Sequence, residues 1–167
     1  ITVRVGSQVS GRIAEILADF NSEVKAGQVI AQLETDIYQT RVAQADASFL
    51  LAEAQEQESR VAMLDAENNL RRITGLRKGL VTSERELEIA ETTYNAAKAA
   101  YSAAVARTKQ SQALLTSAKV DLEYTTIYSP VDGIVISRNC DVGQTVVASF
   151  QTPDLFLIAK DLTKMQV

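Results

Sequence analysis

Histidine and tryptophan are absent from this chain of 167 residues, cysteine occurs once and proline twice. Without histidine the commonest general base and metal ligand is missing, and neither a Ser–His nor a Cys–His nucleophile pair is available. The single Cys140 excludes an internal disulfide and a paired-cysteine metal site, and leaves the redox compartment open. The glycines do not form a phosphate-cradling loop. No run of about 18 apolar residues occurs, the length a helix needs to cross a bilayer. The net charge of −4 and pI near 4.9 count against a nucleic-acid partner, which selects a basic face. Together these absences describe a chain that is not an enzyme and carries no cofactor.

What is present is alanine. Hydrophobic residues make up 46% of the chain but aromatics only 5%, a composition that favours long helices over a thick globular core. Breakers fall in zones: Gly6, Gly11 and Gly27 early, Pro130, Gly133, Gly143 and Pro153 late, and only Gly75 and Gly79 between. This outlines a helical hairpin whose ends sit in a β module. In the first half, Val42, Ala45, Phe49, Ala52, Glu56, Ser59, Met63, Ala66, Leu70 and Ile73 recur at steps of three and four. In the second half, Leu87, Ala90, Tyr94, Ala97, Tyr101, Ala104, Thr108, Ser111, Leu115, Ala118 and Leu122 do the same. Such a sustained heptad seam is the signature of a coiled coil, with Glu56 its one charged exception.

The ends of these runs carry stop and start signals. Asp36 with Gln39, and Ser83 with Glu86, are capping-box patterns. Lys78 and Gly79 suit a helix C-terminus. The spacing predicts helices from about Ile37 to Lys78 and from about Glu84 to Glu123, each roughly 60 Å long. The link Gly79–Thr82 is long enough only for an antiparallel turn.

Short β-branched runs flank the helices: Thr2–Val5, Val9–Ala14, Gln28–Gln32, Ile134–Ser137, Thr145–Ala148 and Leu155–Ile158. They read as strands. A weak internal repeat sets Gly27-Gln28-Val29-Ile30-Ala31 against Gly143-Gln144-Thr145-Val146-Val147-Ala148, each copy after a Gly-hydrophobic strand at Gly11 or Gly133. The expected fold is α+β: an antiparallel coiled-coil hairpin (36–123, tip about 72–83) inserted between two halves (1–35 and 124–160) of one small β-sandwich. Ile1 opens inside a strand-like pattern and Leu162–Val167 ends without a terminator, which reads as a fragment of a longer protein.

Three stretches carry a family resemblance: Val9-Ser10-Gly11, Val24-Lys25-Ala26-Gly27-Gln28, and Tyr124 through Gly133 with its Ser129-Pro130-Val131-Asp132-Gly133 end. They resemble the periplasmic adaptors, or HlyD-like membrane fusion proteins, of bacterial tripartite efflux and secretion systems. In that family a split lipoyl-like domain, a barrel-sandwich hybrid, carries an α-hairpin. Val5–Gly11 and Leu122–Ile127 look closest to the MacA-type adaptors that serve ABC transporters. Residues 161–167 resemble the entry to the β-barrel domain that follows in the family.

The resemblance implies a periplasmic, inner-membrane-associated connector between a transporter and a TolC-type outer-membrane channel. An ABC transporter is favoured over an RND one, and the copies are expected to form a homo-oligomer, a hexamer in the full complex. Adaptors that dock on such channels carry Arg, then Leu four residues on, then Ser seven further. Arg72, Leu76 and Ser83 fit. Arg72 offers a charged fork, Leu76 an apolar contact and Ser83 a small polar one. Each also has a purely structural explanation: Arg72 as a solvated charge, Leu76 as the end of the seam, Ser83 as a helix N-cap. The MacA-type gate glutamine aligns with Phe150, with Gln151 beside it, and Phe150 would constrict by apolar contact unless it fills the small core.

Two rivals stand beside this reading. A lipoyl-type carrier needs an acceptor lysine on the turn where the hairpin enters and leaves, near Glu34–Asp36 and Ser129–Asp132, and neither stretch has one. A structural coiled coil without a transport role explains the helices but neither the split β module nor the tip motif.

Overall fold

The structure is a computed structural model that describes residues 2–78, 83–148 and 154–160, with side chains of the first stretch described through residue 76. The chain divides into two compact units, Ile1–Val42 with Ser117–Val167, and Ala43–Thr116.

The first unit is a β-sandwich. Its strands are β1 (Thr2–Gly6), β2 (Gly11–Ile16), β3 (Glu23–Val24), β4 (Val29–Leu33), β5 (Thr126–Tyr128), β6 (Gly133–Arg138), β7 (Thr145–Val146) and β8 (Asp154–Ala159). One antiparallel sheet has the order β1-β8-β6-β3 and the other β5-β4-β2-β7. Exchanging β1 with β5, β2 with β6, β3 with β7 and β4 with β8 converts one order into the other, so the sandwich is two pseudo-equivalent halves. Its core holds Phe156, Ile13, Ile30, Leu33, Ile158 and Val135, all fully buried. Each such side chain contributes about 1.5–3 kcal/mol through removal from water.

Hydrogen bonds repeat the symmetry residue by residue. Asn21 N–H donates to Val135 O (2.9 Å) as Gly143 N–H donates to Ile13 O (2.8 Å). Ser7 Oγ–H donates to Val9 O as Ser129 Oγ–H donates to Val131 O, both at 2.6 Å. Ala148 N–H donates to Ser10 Oγ as Ala26 N–H donates to Asp132 Oδ1. The repeat expected from sequence is therefore out of step. In the two-fold relation Gly143 takes the place of Asn21, while the likeness to Gly27 is one of local turn: Gly27 and Gly143 share left-handed backbone, φ 80 and 84, and the Gln28 and Gln144 side chains accept from Lys25 N–H and Asp141 N–H in the same way. Asn21, φ 65, holds the conformation that Gly and Asn tolerate best. The Gly11–Gly133 match stands. The halves keep one interval as far as Ala26 and Ala148; beyond them, residues 27–29 separate Ala26 from Ile30, whereas residues 149–154 separate their equivalents Ala148 and Leu155.

Other expectations need correction. The strands β3 and β5, of two and three residues, lie outside the expected runs, and of the strand expected at Thr145–Ala148 only Thr145–Val146 is formed. The strand expected at Val9–Ala14 runs instead from Gly11 to Ile16, since Val9 belongs to the turn closed by Ser7. The hairpin leaves the sandwich at Tyr124–Thr125, not at Ser129–Asp132, which lies beyond β5. Neither Tyr124–Thr125 nor Glu34–Asp36 contains lysine.

The helices are α1 (Asp36–Lys78) and α2 (Glu84–Glu123). The helix α1 opens one residue earlier than the Asp36 box implies. Gln39 N–H bonds Thr35 O at 2.8 Å and the Gln39 amide bonds Thr35 Oγ1 at 3.0 Å, so Thr35 caps. Asp36 sits in the first turn, where its charge suits the helix dipole. In the second unit every expected seam residue is buried or half-buried. The small seam residues Ala52, Ala66, Ala90 and Ala104 are buried outright, with Leu115. Thr108, a polar break in the seam, donates to Ala104 O of its own turn and shares contact with Ala52 O across the interface, both at 3.2 Å. That bond levels Ala52 with Thr108 and fixes the antiparallel register.

Candidate functional site at the hairpin tip

Toward the end of α1, Arg71, Arg72 and Thr74 are exposed, as are Ser83, Glu84 and Arg85 where α2 begins. Arg71 and Arg72 are neighbours in sequence but take different partners. Arg71 Nη2 pairs with Glu67 Oε1 at 3.2 Å, one turn back, while Arg72 Nη2 donates to Asn69 Oδ1 at 2.7 Å. Both guanidinium groups stay exposed, so each retains donors for a carboxylate or carbonyl. Leu76 lies four residues beyond Arg72, on the same side of the helix. It is 43% exposed, one of the large apolar side chains the seam does not take up.

Ser83 begins α2 as its N-cap. Glu86 N–H donates to Ser83 Oγ (3.3 Å) and Ser83 N–H donates to Glu86 Oε2 (2.9 Å), a reciprocal capping box. The Ser83 hydroxyl also lies 3.2 Å from the same carboxylate oxygen. Leu87 N–H then reaches Ser83 O. This satisfies donors that a helix N-terminus otherwise leaves bare. Glu84 and Glu86 add negative charge to that first turn, which the dipole favours. Ser83 thus performs its structural role and remains exposed.

The structure thus places Arg72 and Leu76 together on one exposed strip of α1, with Ser83 opening α2. The link 79–82 lies outside the described residues, as do Phe150 and Gln151. Among the described residues no group of histidine, cysteine or acidic side chains is arranged to hold a metal, and no helix is long and apolar enough to cross a membrane.

Sequence reasoning missed a cluster in the sandwich. Arg138 joins Asp19 (Nε–Oδ1, 3.0 Å) to Asp141 (Nη1–Oδ1, 2.8 Å) and also donates to Cys140 O. It ties the β2–β3 loop to the β6–β7 turn. The Phe20 N–H, and then Arg138, hold the Asp19 carboxyl below its ordinary range. Burial pushes the neighbouring Cys140 thiol up. No local signal marks this group, because Asp19 and Arg138 are far apart in sequence.

A split sandwich of two pseudo-equivalent halves, with a long helical hairpin in the β4–β5 connection, is the architecture of the barrel-sandwich hybrid with an inserted α-hairpin. The family model described as RND MFP, barrel-sandwich hybrid domain, matches residues 1–158; the chain belongs to this membrane fusion protein family. It is similar to the macrolide export protein MacA of Yersinia pestis, 31% identical over 165 residues, which cover 99% of this chain and 44% of that protein. It is also similar to the pyoverdine export membrane fusion protein PvdR of Pseudomonas putida, 32% identical over 158 residues, 95% of this chain and 40% of that protein. The crystal structure of MacA from Actinobacillus actinomycetemcomitans superposes with a TM-score of 0.89 at 32% identity, covering 97% of this chain and 50% of that one. The chain therefore spans less than half the length of these two curated relatives.

Proposed function

We propose that this chain is the hairpin and lipoyl-like part of a periplasmic adaptor. In this reading the adaptor links an inner-membrane transporter to a TolC-type outer-membrane channel for efflux or secretion. The observation that carries it is the exposed tip: Arg72 and Leu76 share one strip of α1 and are left unburied, at the family's docking spacing to Ser83. Arginine is among the residue types enriched at protein-binding hot spots, and an apolar side chain left open beside it gains free energy when a partner covers it. The guanidinium would meet carbonyls or carboxylates at the ends of the channel's helices, Leu76 would fill an apolar notch, and the Ser83 hydroxyl would add a polar contact. The likeness to macrolide and pyoverdine export proteins supports an export role; the preference for an ABC partner over an RND one rests on the resemblance of Val5–Gly11 and Leu122–Ile127 to MacA-type adaptors.

The adaptor is non-enzymatic and works as a homo-oligomer, a hexamer in the full complex, with the energy supplied by the transporter. The hairpin is suited to such packing: Leu50, Leu51, Val61, Ile89 and Leu114 lie off the seam and are each more than half exposed. Phe150, with Gln151, would form the constriction of the sandwich ring. What supports this is the unequal loop, since the segment containing both residues is longer than its pseudo-equivalent at 27–29.

The test is an export assay with Arg72→Ala and Leu76→Ala combined, read alongside crosslinking of the tip to the channel. The expected result is loss of both. Full export with undiminished channel capture would defeat the tip assignment. Phe150→Ala in the same assay should raise leak through the closed pump, and an unchanged leak removes the gate.

A further inference from the structure

Two neighbouring arginines near the end of α1 are held in different ways. Arg71 pairs with the Glu67 carboxylate one turn back at 3.2 Å, which offsets its charge. Arg72 Nη2 donates to Asn69 Oδ1 at 2.7 Å, and the amide it meets carries no net charge. Among the described residues no carboxylate lies within ion-pair distance of Arg72. A guanidinium has five N–H donors, so one hydrogen bond leaves most of them, and the whole positive charge, for another acceptor.

Asn69 is itself restrained. It is half-buried, with buried Ala66 three residues before it and half-buried Ile73 four after, both on its side of the helix. Asn69 and Leu76 are seven residues apart and take the same place in successive heptads, beside the seam. Arg72 comes between them in the chain. Its bond to Asn69 turns it back towards the N-terminus of α1, the direction that long side chains take on a helix. An arginine without such a partner lays its stem over nearby apolar surface, and Leu76, four residues on, is apolar surface within its reach. With the guanidinium tied to Asn69, Leu76 stays open, 43% exposed.

We propose that Asn69 is a positioning residue of the tip. Its amide orders the Arg72 guanidinium for a partner's carbonyl or carboxylate, leaves that charge uncompensated and holds the stem clear of Leu76. Arg71, with its charge offset by Glu67, is not equivalent to Arg72 although it is next in sequence. This rests on the tip reading above and adds the residue that prepares Arg72 for its contact.

The test measures capture of the full chain by a purified TolC-type channel in detergent. The variants are Asn69→Ala, Asn69→Asp, Arg72→Ala, and Asn69→Ala combined with Arg72→Ala. Alanine is the best helix former, so Asn69→Ala leaves α1 intact, which an unchanged helical circular dichroism signal checks. Asn69→Ala is expected to weaken capture about two- to tenfold, the cost of ordering one long side chain on binding. In the Arg72→Ala background the same change should alter capture by less than about twofold, since independent effects would add. Asn69→Asp keeps the acceptor but offsets the charge. It should weaken capture about two- to fivefold, and less as salt is raised. Nitrogen-15 relaxation at Arg72 Nε gives a readout without the channel: motion should increase in Asn69→Ala and not in Asn69→Asp. Capture undiminished in Arg72→Ala overturns the tip reading and the proposal with it. Capture lost in Arg72→Ala but kept in Asn69→Ala overturns the positioning role alone. So does an equal loss from Asn69→Ala with or without Arg72, or an Arg72 Nε that is no more mobile in Asn69→Ala.

Discussion

Gly11 and Gly133 occupy equivalent places in the two halves of the sandwich, yet they should respond oppositely to one added methyl group. A Cβ on Gly133 would lie 2.1 Å from Ala159 O and 2.8 Å from Ala159 C, both backbone atoms. β6 cannot retreat, since it lies between β8 and β3 in its sheet and Gly133 is itself paired with Val24. Forcing excess volume into such a site costs about 1–3 kcal/mol, and each ladder bond strained open about 1 kcal/mol more. Gly133→Ala should therefore destabilise the sandwich by about 3–5 kcal/mol, a large share of a typical total of about 5–15 kcal/mol. At Gly11 the new Cβ would sit 3.5 Å from Leu33 Cβ and Cδ1, an ordinary contact. Gly11→Ala should be neutral or stabilising by up to about 1 kcal/mol, through a less flexible unfolded chain.

Because the chain has two compact units, a single unfolding curve would mix them. The appropriate measurement is amide hydrogen exchange in β6 and β8. Gly133→Ala should raise exchange there by about two to three orders of magnitude, following the free energy at about 1.4 kcal/mol per tenfold, and Gly11→Ala should leave it at the original rate or below. Original exchange in Gly133→Ala, or equal damage from Gly11→Ala, would refute the close-approach argument.

Three further outcomes are expected. Ser83→Ala removes the Oγ acceptor of the capping box and should cost about 1 kcal/mol of local helix stability, seen as faster exchange in the first turn of α2 with the seam unaffected; unchanged protection there would mean that Ser83 serves only a partner. Asp19 titrates below the ordinary carboxylate value of 3.8, first because of the Phe20 N–H and then Arg138. Its depressed folded value means that its stabilisation is present at neutral pH and is lost as pH falls from the ordinary value through the folded one. Denaturation midpoints measured below about pH 4 should therefore fall less steeply in Asp19→Asn than in the original. Cys140 is buried with its thiol pushed up, so it should resist a thiol-specific disulfide reagent at pH 8 in the folded protein and react fully in denaturant; rapid reaction in the folded state would contradict the core placement.

Much of the hairpin was legible in the linear sequence because helix chemistry is local. Every residue named by the three-four spacing is buried or half-buried, and the Ser83–Glu86 pair marked where α2 begins. The Asp36 box erred by one residue because Thr35 and Asp36 are both good caps, and only the partner of Gln39 distinguishes them. The tip residues were also readable, since Arg72 and Leu76 sit on one face by helical geometry alone. Whether Leu76 is covered was a tertiary matter.

The sandwich was legible only in part. Six strands announced themselves by β-branched runs between turn residues. β3 and β5 did not: each is defined by the neighbour it pairs with, β6 and β4. The same holds for the pseudo-symmetry. Similar letters suggested that Gly27 matches Gly143, but hydrogen bonds to Val135 and Ile13 put Asn21 opposite Gly143. Gly27 shares the left-handed backbone of Gly143, so the hydrogen bonds to strands far away in sequence, not local conformation, decided the match. By itself the sequence determined the helices, their seam and their caps, which depend on residues three and four apart. The register of the halves and the tight passage at Gly133 were decided by the tertiary structure, because each depends on atoms that the chain brings together from more than a hundred residues apart or, as at Gly133, across a long loop.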